Sequence, residues 1–390
     1  MGSASSASAE RSCGSEGKAD KTLDVLRKQV VCLNSLKLTP SEPRNWCSAQ
    51  AAAEQLQDFT GNPLLQPAAE GDPSILEVEG VFHLFVPGGK RGLLHLTSKD
   101  GISAWTVDEL VDAPDASCPF ARMVAGVVYL FYESDAGSVF LKTALLSEEA
   151  ICAQAWPWSE ARKVLEPELE WEKVGLPRVG HPFVVYDEDV QRWLMYYSAS
   201  STFLSDSRLH QPMFIGVAAA PEIRGPFKRL HSKPLFRTAA DAWPQVIGAG
   251  SFKMIQGFDR LCQNDPDRKV LALQSRVTRS VTGITGARLA LLVSADGQSW
   301  SVVDGNFLTP TLTPGWKRAY ILAFDTITPS SCHEHVYLYY HARDGYASSR
   351  GYIGVSRIPW LFLEGLASAK ATTVKACGVA EVKMDRVAAA

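Results

Sequence analysis

Nothing in this chain is long and apolar enough to cross a bilayer. A spanning helix needs roughly 18 consecutive apolar residues, and the sequence holds no such run, so no transmembrane segment is expected. No charge of one sign dominates either. The 39 Lys and Arg stand against 42 Asp and Glu, a formal net charge of −3. That lack of a basic excess argues against nucleic acid as the main ligand, because phosphate recognition calls for a basic face. The eight cysteines (Cys13, Cys32, Cys47, Cys118, Cys152, Cys262, Cys332 and Cys377) form no CxxC pair and no metal-ligand spacing. The N-terminus also lacks the apolar core of a secretory signal, so the cysteines read as reduced, mostly buried thiols of an intracellular, cytoplasmic protein.

What is present is an ordinary globular composition, 46% hydrophobic and 21% charged, over 390 residues, enough for one large domain or two smaller ones. Residues 1–20, "MGSASSASAERSCGSEGKAD", are small and polar and are expected to be disordered. They fit the M-G-x-x-x-S pattern of N-myristoylation at Gly2, with Ser6 in place and Cys13 available for a second acyl chain, and a plastid-targeting reading fits the same composition. Residues 21–61 read as a helical N-terminal segment. Apolar Leu23, Leu26, Val30, Val31 and Leu33 recur at close to helical spacing, and "CSAQAAAEQLQDF" (47–59) predicts a second helix with Ser48 as N-cap.

From residue 62 the character changes to short apolar and aromatic runs between Gly, Pro, Asp and Ser clusters, the pattern of an all-β domain. "VFHLFV" (81–86), "VVYLFY" (127–132), "RWLMYY" (192–197), "KVLALQ" (269–274) and "HVYLYY" (335–340) are five similar strands, each preceded by another apolar stretch. Ser98-Lys99-Asp100-Gly101 with Trp105 is repeated as Ser294-Ala295-Asp296-Gly297 with Trp300. Multi-strand units recurring about every 45 to 75 residues predict a five-bladed β-propeller over 62–358, followed by a C-terminal tail from 359 to 390. A sandwich offers the same strand count but no reason for whole units to repeat.

The repeats align on one another. Asp72-Pro73 precedes Gly80 by eight and seven residues, and Cys118-Pro119 precedes Gly126 by the same interval, as does Ala249-Gly250 before Gly257. His181-Pro182 heads the third unit, and Asp325 or Thr326 falls nearest in the fifth. One position is thereby expected to hold Asp72, Cys118, His181, Ala249 and Asp325, as a ring at one mouth of the central channel.

These stretches, with "NPLL" (62–65), "GHPFVVYDEDVQRWLMYYS" and "APEIRGPF", resemble the five-bladed superfamily of arabinanases, β-xylosidases and invertases, and most of all family 43 glycoside hydrolases. The resemblance implies a glycosidase acting on a small carbohydrate or glycoside; from the residues themselves no cofactor and no metal are expected. It implies a general base at Asp72, in "GDPS". A second Asp of the family pattern stands at His181, and the acidic Glu stands at Ala249, in "GAGSF".

Hydrolysis of a glycoside needs an acid and a base flanking the bond, and Ala249 can be neither. His181 is the substitute candidate, since an imidazole titrates near neutral pH. Asp325 is an accessory catalytic candidate; Arg122, Glu133, Trp243 and Trp316 are candidates for substrate binding, with Asp135 beside Glu133. Each has a plainer reading: a hydrogen-bonded His at a strand head, an Asp accepting turn N–H bonds, Trp as packing, Cys118 as a small buried hydrophobe. His333 and His335 share a strand face without a third ligand. Two rivals to the glycosidase follow: a pseudo-hydrolase that binds a sugar or phosphorylated metabolite without turnover, and a propeller that serves as an interaction scaffold.

Overall fold

The computed structural model describes residues 56–65, 71–134, 136–147, 155–236, 245–259, 269–313, 315–345 and 351–368. Residues 1–55, with the myristoylation pattern at Gly2 and most of the predicted helical segment, lie outside them. Among the described residues no helix is long and apolar enough to cross a membrane.

The chain folds as antiparallel runs of four strands, four of them laid down in sequence order and the fifth completed by β1 from before the first run. The first run is β2 (Ser74–Val78), β3 (Val81–Pro87), β4 (Gly92–Ser98) and β5 (Thr106–Asp112); the second is β6 (Ser117–Val124), β7 (Val127–Glu133), β8 (Val139–Leu145) and β9 (Arg162–Leu165). The third is β10 (Val179–Asp187), β11 (Arg192–Leu204), β12 (Leu209–Ala220) and β13 (Lys228–Arg229). An eight-stranded sheet holds the other two, β14 (Gln245–Met254) to β17 (Trp300–Leu308) and β18 (Tyr320–Ile327), β19 (His335–Arg343), β20 (Gly351–Pro359) and β1 (Gln57–Asp58). In it β15 is Val270–Arg279 and β16 is Thr285–Ser294, and a lone parallel pair, Ala287 with Tyr320, joins the two runs.

The first strands touch in cyclic order, β2 to β6, β10, β14, β18 and back to β2. That is the arrangement of a propeller. Local sequence explains the hairpins that build it. Glu79 and Gly80 have φ of 50° and 78°, and Ala125 and Gly126 have 48° and 75°. Two central residues at positive φ make the tight turn whose twist matches the flanking strands.

The repeated Ser-x-Asp-Gly turns lock neighbouring units together. Asp100 Oδ1 accepts from Ile102 N at 2.9 Å and Ser103 N at 2.7 Å, and Asp296 Oδ1 accepts from Gln298 N at 2.8 Å and Ser299 N at 2.6 Å. In both turns a tyrosine of the preceding unit donates to the glycine carbonyl, Tyr339 to Gly101 at 2.5 Å and Tyr196 to Gly297 at 2.8 Å. Trp105 and Trp300, which end the motifs, are buried core residues. Burying a side chain of this size contributes a few kcal/mol, on the order of 3.

Three expectations are corrected. Gln57–Asp58, inside the expected helix over 47–59, is a strand paired with Arg357 and Ser356 of β20. The ring alignment also shifts. Bulges interrupt the inner strands between Ser117 and Phe120, Gly180 and Phe183, Ala249 and Phe252, and Ile321 and Phe324. The residue first in each bulge is Cys118, His181, Gly250 and Leu322. Ala249 therefore sits one residue before that position, and Asp325 sits beyond the bulge. At two of the bulges proline is a physical cause: Pro119 and Pro182 supply no N–H to the ladder, and a bulge is where a strand tolerates that; the other two hold Gly250-Ser251 and Leu322-Ala323. From residue 359, expected as tail, α1 (Trp360–Ala367) packs Phe362 and Leu363 into the core.

Candidate active site

The starts of three inner strands and the end of β19 bring together residues from four units. Asp72, in the turn leading to β2, directs Oδ2 at Nε2 of His181, 2.9 Å away. His181 and Cys118 occupy bulges at φ of 46° and 50°, a left-handed conformation in which the strand turns its side chain out of the usual alternation. The His181 ring is fixed from behind, with Nδ1 2.7 Å from Ser198 Oγ. His341, on β19, brings Nδ1 to 3.5 Å from Asp72 Oδ1. The thiol of Cys118 completes the cluster: its Sγ, an oxygen of Asp72 and a ring nitrogen of His181 all lie within 4.8 Å of one another.

Arg178 stands behind Cys118, its Nη2 3.8 Å from Sγ and 2.6 Å from Glu133 Oε2. Glu133 is thereby committed to an internal ion pair. Gly180 permits this approach, since a Cβ there would lie 1.7 Å from Glu133 Oε2.

The electrostatics follow from burial and these partners. Burial alone would raise the Asp72 carboxyl, but His181 and His341 outweigh it and hold the group well below the usual carboxylate range. Asp72 is therefore an anion at neutral pH. Burial pushes the Cys118 thiol well above its ordinary value; the carboxylates of Asp72 and Glu133 add to this and Arg178 opposes it. A free thiol in this setting is neutral and is a poor nucleophile.

The other expected site residues are placed elsewhere. Asp325 is buried between units, accepting from Ser74 Oγ at 2.9 Å and Ile75 N at 3.1 Å and pairing with Lys253 at 3.3 Å. Ser74 Oγ in turn accepts from Ala121 N at 2.8 Å, so Asp325 braces four successive inner strands. Arg122 lies toward the far ends of these strands, 3.6 Å from Asp259 and with Nη1 donating to Val184 O at 3.2 Å. A cavity of about 760 Å³ opens there, lined in part by Arg122, Phe120, Phe183, Asp259 and Asp325. It is at the opposite end of the inner strands from Asp72. Trp316 is buried in a blade, stacked on Tyr340 with ring centroids 5.8 Å apart. Trp243 and Asp135 lie outside the described residues.

Sequence reasoning missed His341, Arg178 and Lys253. His341 ends the run "HVYLYYH", whose only signal is that of a buried strand. Arg178 and Lys253 are single charges beside apolar stretches, and their partners lie on other units.

No protein-family profile matches the chain, and no curated protein matches it by sequence. Solved structures do match in fold. The catalytic domain of a GH62 alpha-L-arabinofuranosidase from Coprinopsis cinerea aligns at 14% identity and a TM-score of 0.53, over 74% of this chain and 91% of that one. An alpha-L-arabinofuranosidase from Podospora anserina, solved with cellotriose, aligns at 13% identity and 0.52, over 76% and 92%. An exo-1,5-alpha-L-arabinanase from a bovine ruminal metagenomic library aligns at 14% and 0.50, over 75% and 93%. At such identities the likeness shows a shared fold, the one the sequence motifs resembled.

Proposed function

We propose that this protein binds a carbohydrate on a glycosidase-type propeller without hydrolysing it. One observation carries the reading: Asp72 and His181 are in direct contact at 2.9 Å. Hydrolysis places its two groups about 5 to 5.5 Å apart for retention, or about 6.5 to 9.5 Å for inversion, so that a bond or a water fits between them. A hydrogen-bonded pair leaves no room for either. Neither Ala249, where the resemblance implies the acid, nor Gly250, which the strand register aligns with His181, offers a proton. Asp72 retains the capacity to accept hydrogen bonds from sugar hydroxyls, as a stable carboxylate.

A second reading is hydrolysis with Asp72 as base and His181 as acid, and the low-lying carboxyl of Asp72 favours it, since a base must be ionised. Titrating the full chain with arabino- and xylo-oligosaccharides, alongside aryl-glycoside assays, separates the two. Binding without release of the aryl alcohol, weakened by about tenfold in Asp72→Asn, is the expected result. Turnover that Asp72→Asn abolishes would establish the hydrolase. Neither binding nor turnover across the panel would leave the scaffold reading.

A further inference from the structure

We propose that Asp72, Cys118 and His181, with His341 beside them, form a site for a thiophilic divalent cation of the Zn²⁺ type. The donors come from separate units of the fold, yet a carboxylate oxygen, a sulfur and an imidazole nitrogen lie within 4.8 Å of one another. His341 supplies an independent sign that something belongs there. It is 5% exposed, its Nδ1 stands 3.5 Å from Asp72 Oδ1, at the outer limit of a hydrogen bond, and its Nε2 has no hydrogen-bond partner among the described residues. Buried imidazoles ordinarily have their nitrogens satisfied. A cation beside Asp72 would give this one a partner.

The chemistry of the donors selects the ion. One carboxylate, one sulfur and imidazole nitrogens make a borderline-soft set suited to zinc, while calcium takes six to eight oxygens and magnesium an octahedral oxygen shell. Zinc bonds of about 2.0 to 2.3 Å place tetrahedral ligand atoms roughly 3.3 to 3.8 Å apart. The cluster brackets that spacing: Asp72 to His181 is 2.9 Å, and the spread reaches no more than 4.8 Å.

Charge also balances. On binding, the Cys118 thiol gives its proton to solvent, so thiolate and Asp72 carboxylate together match the charge of the ion, with the imidazoles neutral. Outside this set, Ser198 holds His181 Nδ1 at 2.7 Å and leaves Nε2 as the ligating atom. Arg178, 3.8 Å from Sγ, favours the thiolate. The inference does not depend on a sugar ligand, and it departs from the sequence expectation of no metal because four units of the fold had to meet before the donors were neighbours.

The test is cobalt substitution in the full chain. Protein stripped with a chelator is titrated with Co²⁺ and followed by absorbance, with folding checked by far-ultraviolet circular dichroism. Expected is saturation at one equivalent, with a thiolate-to-cobalt charge-transfer band and the strong visible bands of tetrahedral cobalt, both removed by Zn²⁺ and unaffected by excess Ca²⁺. Cys118→Ser should remove the charge-transfer band, and Cys332→Ser should keep it. Asp72→Asn should weaken affinity by tenfold or more while leaving the protein folded. The proposal is overturned if folded wild type takes up no stoichiometric Co²⁺, or if the band survives in Cys118→Ser. Retained affinity in a folded Asp72→Asn variant would overturn it equally, and this variant keeps the test decisive if Cys118→Ser fails to fold.

Discussion

At the scale of residues, several buried polar groups tie one part of the chain to another. Glu172 is fully buried and accepts from Tyr197 Oη at 2.7 Å, from Leu169 N at 3.0 Å and from Arg229 Nη2 at 2.9 Å. Burial works against its charge, and Arg229 with the hydrogen bonds keeps the carboxyl below its ordinary value. Glu172→Ala leaves Arg229 and Tyr197 without this partner and is expected to cost about 3 to 5 kcal/mol in urea unfolding. His83 and His95 form a second such group. His83 Nδ1 lies 2.8 Å from His95 Nε2, and His95 Nδ1 lies 2.9 Å from Glu109 Oε1. Burial and the adjacent His95 lower His83 from 6.5 to about 3. Its folded value is below its unfolded one, so the contribution of the neutral ring is complete above about pH 6.5 and is lost as pH falls toward 3. Between pH 6.5 and 4 the loss is at most about 3 kcal/mol. His83→Gln should flatten the dependence of the urea midpoint on pH in that window, and an unchanged slope would assign the acid sensitivity to another group. Neither group was legible in the sequence, because their partners lie on different strands, and in the case of Glu172 and Arg229 57 residues apart.

At the scale of elements, the hairpin turns and the Ser-x-Asp-Gly motifs were legible because their chemistry is local. An Asp accepting from the next N–H groups and a Gly at positive φ need no distant neighbour. What the motif could not reveal is its second task, receiving a tyrosine from the preceding unit. Gly101 and Gly283 separate the two roles. Both have positive φ, 70° and 82°, but a Cβ at Gly101 would lie 2.7 Å from Tyr339 Oη and 2.8 Å from Phe82 Cδ1, whereas at Gly283 it meets nothing within 4 Å among the described residues. Gly283→Ala should therefore cost only the backbone strain, about 1 kcal/mol, and Gly101→Ala about 2 to 3 kcal/mol, read from thermal or urea unfolding. The inner-strand bulges belong to this scale too. Residue counting aligned Ala249 with Cys118 and His181; hydrogen-bond register puts Gly250 there instead.

At the scale of the molecule, the ring is closed by the N-terminal strand. Asp58 of β1 accepts from Tyr340 Oη at 2.9 Å and also from Ser356 Oγ and buried Lys317. Asn62 fastens the next turn, donating to Val355 O at 2.7 Å and accepting from Val355 N at 2.9 Å. Asp58→Ala strands the Lys317 ammonium in the interior, and a loss of roughly 3 kcal/mol in urea unfolding is expected. The amino-acid sequence by itself determined the strand pattern, the repeat and the turns, because side-chain alternation, glycine torsions and the missing N–H of proline act over a few residues. It also marked Asp72 and His181 as a pair worth watching. Only the tertiary structure decided that they touch, that His341 and Cys118 join them, that Asp325 is a brace and that Gln57–Asp58 forms a strand. Each of these depends on which blades become neighbours when the ring closes, and that is a property of the assembled sheets rather than of any stretch of chain.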